Sequence, residues 1–184
     1  MRKRRGSRRC RLPKVVDHEA RRRDILDGAF GVFAERGYGS VSMRQLAQSL
    51  GFSTGTLYHY FQGKEALFEA LVDHRARLDV AEATAGFDTA RDANAKLFQL
   101  ASFVTLQQAR LADTLSIALD YARHEPDTAI LARVLDGYRT ALTEALGPTG
   151  GDLALSLLLG LLAQRLLHAE PDLSAHLAAL VRLR

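Results

Sequence analysis

Cysteine, tryptophan and proline are scarce in this sequence, and it has no long hydrophobic run. Its 184 residues include one cysteine, four prolines and no tryptophan. Because Cys10 has no partner for an intrachain disulfide, a secreted disulfide scaffold is excluded. The most apolar stretch, residues 153–167, is too short to span a membrane and contains Gln164 and Arg165. We expect a protein of the reducing cytoplasm that has no membrane partner.

The patterns of secreted proteins, enzymes and metal sites are missing as well. Met1 leads into basic residues that are not followed by an apolar segment of the signal-peptide type. No glycine-rich phosphate loop follows a strand-like segment, and Cys10 is not placed as a nucleophile. The six histidines contain no HExxH motif and no i,i+4 pair. Asp120 and His124 have i,i+4 spacing, which is more typical of a surface pair than of metal ligands. We therefore expect no catalytic residue, no metal site and no cofactor.

Positive charge is concentrated in the first third of the chain. Residues 1–64 hold 14 Lys/Arg against 5 Asp/Glu, whereas residues 65–184 hold 11 against 16. One basic end on an acidic body indicates a polyanionic partner for that end, and nucleic acid is favoured over a membrane surface. Residues 1–16 are so densely basic that we expect a disordered arm. This arm is either a solubilising tail or a contact to a DNA groove or phosphate.

The next segment has the pattern of short helices. Asp17 is a candidate N-cap for a first helix that Gly37 ends. Residues 42–45 have the spacing of a capping box, and Gly51 ends the helix that they open. Ser53 is positioned to cap a third helix. The three-residue turn between the second and third helices fits a helix-turn-helix, but an ordinary helical corner has the same spacing, so spacing alone leaves both open.

The residues around this turn resemble the DNA-binding domain of the TetR family of bacterial transcriptional regulators. The resemblance extends from residue 25 to about residue 71, roughly a quarter of the chain. It is carried by Ile25, Ala29, Phe33, Gly37, Tyr38, Val41, Met43, Leu46, Ala47, Gly51, the run Gly55-Thr56-Leu57-Tyr58-His59-Tyr60-Phe61, and Lys64-Glu65-Ala66-Leu67. It implies an all-α protein with an N-terminal three-helix DNA-binding domain and a C-terminal helical domain for ligand binding and dimerisation. We expect the domains at residues 17–63 and 64–184.

Small residues open the third helix and suit it to approach double-stranded DNA. Thr54 and Thr56 each offer a hydroxyl and a methyl group for a base edge. Gly55 has no side chain that would obstruct the approach of the helix backbone to DNA. Gly55 is equally well explained as a tolerated glycine at a helix start.

The family resemblance assigns further DNA contacts. It implies that Tyr58, His59 and Lys64 contact phosphates, and that Ser42 and Arg44 face the DNA backbone. Arg44 is the only long cation of the two helices, so it is also the best candidate for a direct base contact.

The rest of the chain has helical patterns and is expected to form the dimer. Asp152 is a candidate cap for a leucine-rich helix after a glycine-rich loop at residues 147–151. The stretch Gly160 to Pro171 resembles the penultimate helix of many TetR-family C-terminal domains, which form a four-helix dimer interface; a monomeric core helix is the alternative. The predicted interface residues are Leu158, Leu161, Leu162, Arg165, Leu166 and Leu177. A last helix is expected around Leu177.

A small-molecule effector is the remaining expectation, and it comes from the resemblance. The candidate ligand-binding residues are Phe103, Gln107 and Tyr121, although Gln107 is more typical of a surface. The few aromatic residues after residue 68 argue against a site for large aromatic cations. We expect a homodimeric, ligand-released repressor that binds a palindromic operator. The alternative is a DNA-bound protein-interaction module without an effector; an enzyme is remote.

Overall fold

The computed structural model describes residues 17–90 and 92–167, and this part of the chain is helical without strands. It has an N-terminal helix-turn-helix domain followed by a C-terminal helical domain, which confirms the expected all-α class. The elements in chain order are α1 (His18–Arg36), α2 (Met43–Leu50), α3 (Thr54–Tyr60), α4 (Lys64–Thr84), a 3-10 turn (Phe87–Thr89), α5 (Ala93–His124), α6 (Ala129–Leu146) and α7 (Pro148–Leu166).

Side-chain caps define the starts of the first three helices, and all three predicted caps are confirmed. The Asp17 carboxylate accepts hydrogen bonds from the backbone N–H groups of the first turn of α1. Ser42 and Gln45 form a complete capping box at α2. At α3, the Ser53 hydroxyl accepts a 3.0 Å hydrogen bond from the Thr56 N–H. Each cap satisfies donors that have no partner within their helix.

The first hydrophobic core joins α1 to α4 with the end of α5 and the start of α6. At its centre, the rings of Phe68 and Tyr121 stack with their centroids 4.3 Å apart. Phe33 and Tyr38 pack edge-on against this pair, and their own rings are tilted against each other. Phe61, at the end of α3, is buried in this core, and Tyr60 is half-buried. Since α4 and α5 both contribute, the DNA-binding helices share their core with the following domain, and the boundary at residues 63/64 stays a prediction.

The second hydrophobic core lies between α5, α6 and α7. Its buried residues include Leu97, Val104 and Leu111 of α5, Leu142 of α6 and Leu155 of α7. The α5 residues of this core belong to one helix of 32 residues. This helix therefore runs from the second core into the first.

The expected loop at residues 147–151 and the cap at Asp152 are wrong. Helix α7 begins at Pro148, so Gly151 and Asp152 lie within it. Proline is favoured in a first helical turn because its missing N–H is not needed there. A Cβ on Gly151 would lie 2.6 Å from the backbone N of Thr143 on α6, so the glycine permits the two helices to approach closely. Asp152 instead pairs with Arg139 of α6 at 3.3 Å.

Some expectations fall outside the described residues. These are the basic arm at residues 1–16, Cys10, and the last helix around Leu177. Within residues 17–90 and 92–167, no helix combines the length and the apolar character needed to cross a lipid bilayer.

The close approach of α6 and α7 leads to a stability prediction. We expect Gly151→Ala to lower the free energy of unfolding by about 1–3 kcal/mol, because the added methyl group overlaps the Thr143 backbone. Gly137→Ala on α6 is the control: nothing lies within 4 Å of its Cβ position. There the better helix propensity of alanine is expected to raise stability by about 0.5–1 kcal/mol. Urea unfolding followed by circular dichroism measures both, and equal effects would contradict the packing argument.

Candidate DNA-binding surface and ligand cavity

The α2–turn–α3 unit has the geometry of a helix-turn-helix. Gly51 adopts φ 71° and ψ 25°, a left-handed conformation that glycine tolerates without strain. The next N–H, of Phe52, donates to Ala47 O at 2.9 Å and closes the turn. Leu46, Ala47 and Leu57 are buried beneath it. The opposite side of both helices therefore faces outward.

The exposed side of this unit carries several of the predicted DNA contacts. Arg44, Gly55, Tyr58 and His59 are all exposed, and Tyr58 retains 53% of its accessible surface. Among the described residues, Arg44 makes no ion pair. His59 packs edge-on against Tyr60, with ring centroids 5.3 Å apart.

The predicted hydroxyl contacts are partly engaged within the protein. Ser42 donates to Gln45 Oε1 at 2.7 Å in its capping box. Thr56 Oγ1 lies 2.8 Å from Ser53 Oγ, and Thr54 is half-buried. These side chains hold the start of each helix in place, and their contacts to DNA stay predictions.

Lys64 is also engaged inside the protein. Its Nζ donates to the carbonyl oxygen of Tyr38 at 3.1 Å and lies 4.0 Å from the centroid of the Tyr38 ring. A cation over an aromatic face is attracted by the negative charge of that face. The phosphate contact of Lys64 stays a prediction, and the lysine has a second role in holding the α1–α2 loop.

Two arginines of α1 add positive charge beside the helix-turn-helix. Arg21 lies over the ring of Phe52 in the turn, 5.4 Å from its centroid. Arg22 lies over the ring of Phe61, 5.1 Å from its centroid. A run such as Arg21-Arg22-Arg23 is either a solvated face or added charge near DNA, and the packing of α1 places two of its members against aromatic rings of this unit.

The α1–α2 loop is anchored to the end of α5. The Tyr38 hydroxyl donates to Glu125 Oε1 at 2.5 Å, and the Gly39 N–H donates to Asp120 Oδ2 at 3.0 Å. A side chain on Gly39 would overlap the imidazole of His124. Sequence reasoning missed this anchor because its partners are more than 80 residues apart, and Asp120 and His124 were interpreted only as a surface pair.

A cavity of about 230 Å³ lies between α4, α5, α6 and α7. Its wall is almost entirely apolar, and the predicted ligand residue Phe103 is part of it. Gln107 and Tyr121 are not. Gln107 accepts a hydrogen bond from Arg110 Nε at 3.1 Å. Tyr121 is completely buried in the first core, where its ring stacks on Phe68, so the structure corrects the expectation that it faces a ligand.

The predicted dimer residues do not share one environment. Leu158 and Leu162 line the cavity, whereas Leu161 is buried in the second core. Arg165 and Leu166 are half-buried near the end of α7, and Leu177 lies outside the described residues. The interface stays a prediction.

One buried carboxylate stands in the cavity wall. Asp79 of α4 is 1% exposed; it pairs with Arg110 of α5 and accepts a 3.0 Å hydrogen bond from the Tyr138 hydroxyl of α6. Burial, followed by the charge and hydrogen bond of Asp79, raises the pKa of Tyr138, so this tyrosine stays protonated. The sequence contained a signal for this buried carboxylate, because Asp79 lies on the same face of α4 as the apolar residues Phe68 and Val72.

Comparison with known proteins agrees with this geometry. Residues 25–71 match the family model of bacterial regulatory proteins, tetR family. The chain carries the N-terminal domain of the TetR family. An HTH-type transcriptional repressor of Mycobacterium tuberculosis, Rv1474c, is 53% identical over 62 residues, which is 33% of each chain. The matched segment thus spans about a third of this curated relative, and relatives of this kind are named regulators rather than enzymes.

Solved structures extend the TetR-like fold beyond this domain. The fatty acid degradation regulator FadR of Bacillus halodurans has a TM-score of 0.67 and 24% identity, covering 89% of this chain and 93% of that one. The multidrug binding protein EbrR, complexed with malachite green, has a TM-score of 0.69 and 19% identity, covering 89% and 97%. These likenesses concern the fold.

The anchor at Tyr38 leads to a pH prediction. Burial raises the pKa of Tyr121 to about 12, and it raises that of Tyr38 further, with the Glu125 hydrogen bond adding to it. Unfolded tyrosine loses its proton near pH 10. The folded state therefore binds more protons above that pH, and the stabilisation is complete below pH 10 and lost above it. We expect the free energy of unfolding to fall less steeply above pH 10 in Tyr38→Phe than in the wild type, measured by urea unfolding. Parallel curves would contradict this.

Proposed function

We propose that this chain is a ligand-released transcriptional repressor that binds a palindromic DNA operator as a homodimer. The observation that carries the proposal is that one helix, α5, both anchors the helix-turn-helix domain and lines an apolar cavity. The match of residues 25–71 to the TetR family and the relative named a transcriptional repressor support the DNA-binding half. The cavity supports ligand response rather than a protein-interaction module.

We assign the exposed groups of α2 and α3 to two kinds of DNA contact, to phosphates and to base edges. Neutralised phosphates supply most of the affinity, and base edges in the major groove supply the discrimination. Tyr58 and His59 are proposed phosphate contacts. Arg44 is the proposed base contact, since its guanidinium can form two parallel hydrogen bonds to guanine. Arg21 and Arg22 add positive charge beside the turn.

We expect a dimer because one helix-turn-helix unit contacts only a short stretch of DNA. A single helix-turn-helix contacts few bases, so two copies related by a two-fold axis are needed to read two half-sites about one helical turn apart, or a multiple of it. The leucine-rich helix α7 and the chain after it are the proposed contact between subunits.

On the ligand side, coupling runs along α5. Ala118, Leu119 and Ala122 line the cavity, and Asp120 on the same two turns holds Gly39 of the α1–α2 loop. A ligand that fits better when α5 is displaced shifts the population away from the DNA-bound arrangement, by as much as its affinity differs between the two. EbrR, which has this fold, is described as a multidrug binding protein.

The first experiment measures binding of the purified protein to its own upstream DNA across a salt titration, with the mass of the complex measured in parallel. We expect saturable, strongly salt-dependent binding by a dimer to a palindrome. Binding by a monomer, or binding with no sequence preference anywhere upstream, would contradict the proposal.

The proposed roles of individual residues are separable on that DNA. Arg44→Ala should reduce the preference for the operator over unrelated DNA by about 1–3 kcal/mol, because a base contact is lost. Tyr58→Phe should weaken binding to all sequences alike by about 0.5–1.5 kcal/mol, because only a hydroxyl donor is lost. Arg77→Ala, an exposed arginine of α4 paired with Asp73, is the matched control and should change neither.

Lys64 requires a separate measurement because it also holds the α1–α2 loop. Lys64→Ala should reduce the slope of log affinity against log salt by about one, as expected for one lost phosphate contact. An unchanged slope, together with lower stability, would limit Lys64 to its contact with Tyr38.

A further inference from the structure

Each polar side chain in the described cavity wall already has a partner inside the protein. These residues are Asp79, Thr84, Thr114 and Tyr138. The Thr84 hydroxyl donates to Val80 O at 2.8 Å, and the Thr114 hydroxyl donates to Arg110 O at 2.9 Å. The Tyr138 hydroxyl donates to Asp79. All three hydroxyl protons are thus committed, whereas their oxygens retain lone pairs that can accept a hydrogen bond.

The one charge in the wall is also neutralised. Asp79 pairs with Arg110 through Oδ1, and the guanidinium of Arg75 lies 3.9 Å from the same oxygen. Arg110 in turn reaches Glu82 at 3.3 Å, and Arg75 reaches Asp27 at 3.6 Å. The two cations are therefore shared among three carboxylates, and neither arginine lines the cavity. Arg75 Nε, which is buried without a hydrogen-bond partner, thus lies outside the cavity wall.

This arrangement disfavours charged ligands of either sign. A cation would find the Asp79 carboxylate already paired, and an anion would lie beside that carboxylate with no free donor. In both cases the ligand would lose its hydration without gaining a counter-charge, which is costly in an apolar environment. An uncharged molecule avoids this cost and gains from contact with the leucine, valine and phenylalanine side chains of the wall.

We propose that the cavity takes an uncharged, predominantly apolar molecule whose hydroxyl group donates to an oxygen of the wall. This inference rests on the proposed ligand response and specifies the chemical class of the effector. Apolar contact supplies the affinity, and the Thr84, Thr114 and Tyr138 oxygens are the available acceptors.

Three probes with the same alkyl chain and different head groups test the class: 1-decanol, decanoate and decyltrimethylammonium. Binding to the full-length protein is measured by isothermal titration calorimetry at pH 7, below the micelle concentrations of the two charged probes and below the solubility limit of 1-decanol. We expect 1-decanol to bind about tenfold or more tightly than either charged probe. Equal or tighter binding of decanoate or of the cation, or no binding of 1-decanol, would overturn the proposal.

Substitutions in the wall test the location. Ala118→Phe on α5 and Val134→Phe on α6 each fill part of the cavity with a larger side chain. Because they act from two sides, one variant is still available for the test if the other fails to fold. Leu106→Phe is the matched control, because Leu106 is 81% exposed and lies outside the wall. With folding verified by thermal unfolding, we expect the wall variants to bind 1-decanol about tenfold or more weakly and the control to bind it normally. Undiminished binding in a folded wall variant would overturn the site.

DNA binding measured on the same samples distinguishes this inference from the proposed function. If the protein binds its operator but a charged probe binds as tightly as 1-decanol or more tightly, only the proposed ligand class is overturned. The expected order of probes without operator binding would support the ligand class and overturn the repressor. Binding of 1-decanol without release of the operator would support the cavity's ligand class and contradict ligand release.

Discussion

The burial of Tyr38 is the interaction on which the arrangement of the two domains depends. Its ring packs among Phe33, Phe68 and Tyr121, which makes it part of the aromatic centre of the first core. Its hydroxyl reaches Glu125 at the end of α5. Aromatic burial supplies most of the contact free energy, and the hydrogen bond makes it directional. Tyr38 therefore fixes the α1–α2 loop on α5, together with the hydrogen bond from the Gly39 N–H to Asp120.

Helix α5 consequently contributes to both hydrophobic cores and to the cavity wall. Along its length it passes from the second core, past the cavity, into the first core. Close packing transmits strain, so a movement of Ala118 or Leu119 in the cavity wall also displaces Asp120 and Tyr121. The paired cluster at Asp79 adds a second constraint, because it links α4, α5 and α6 around a buried charge. Such a cluster is costly to break once its members are buried.

Local sequence signals were reliable where a residue interacts within three or four positions. The caps at Asp17, Ser42 and Ser53 depend only on their own helix start, and they were predicted and found. Gly151 was misinterpreted as part of a loop because glycine is also used where two helices approach closely, and that use depends on a partner helix. Tyr121 was assigned to a ligand site because a sequence does not show whether an aromatic side chain packs in a hydrophobic core or lines a cavity.

The sequence by itself determined the helical class, the helix-turn-helix unit, and the basic end that suits it to DNA. The helical class and the basic end follow from periodicity, capping and charge, which are properties of neighbouring residues, and the helix-turn-helix unit follows from the family resemblance of residues 25 to about 71. Only the tertiary structure decided that Tyr38 meets Glu125, that Asp79 meets Arg110 and Tyr138, and that a cavity remains between α4 and α7. Those contacts join residues 31 to 87 positions apart. Such pairings depend on how whole helices pack, and helix packing is a property of complete surfaces rather than of any local pattern.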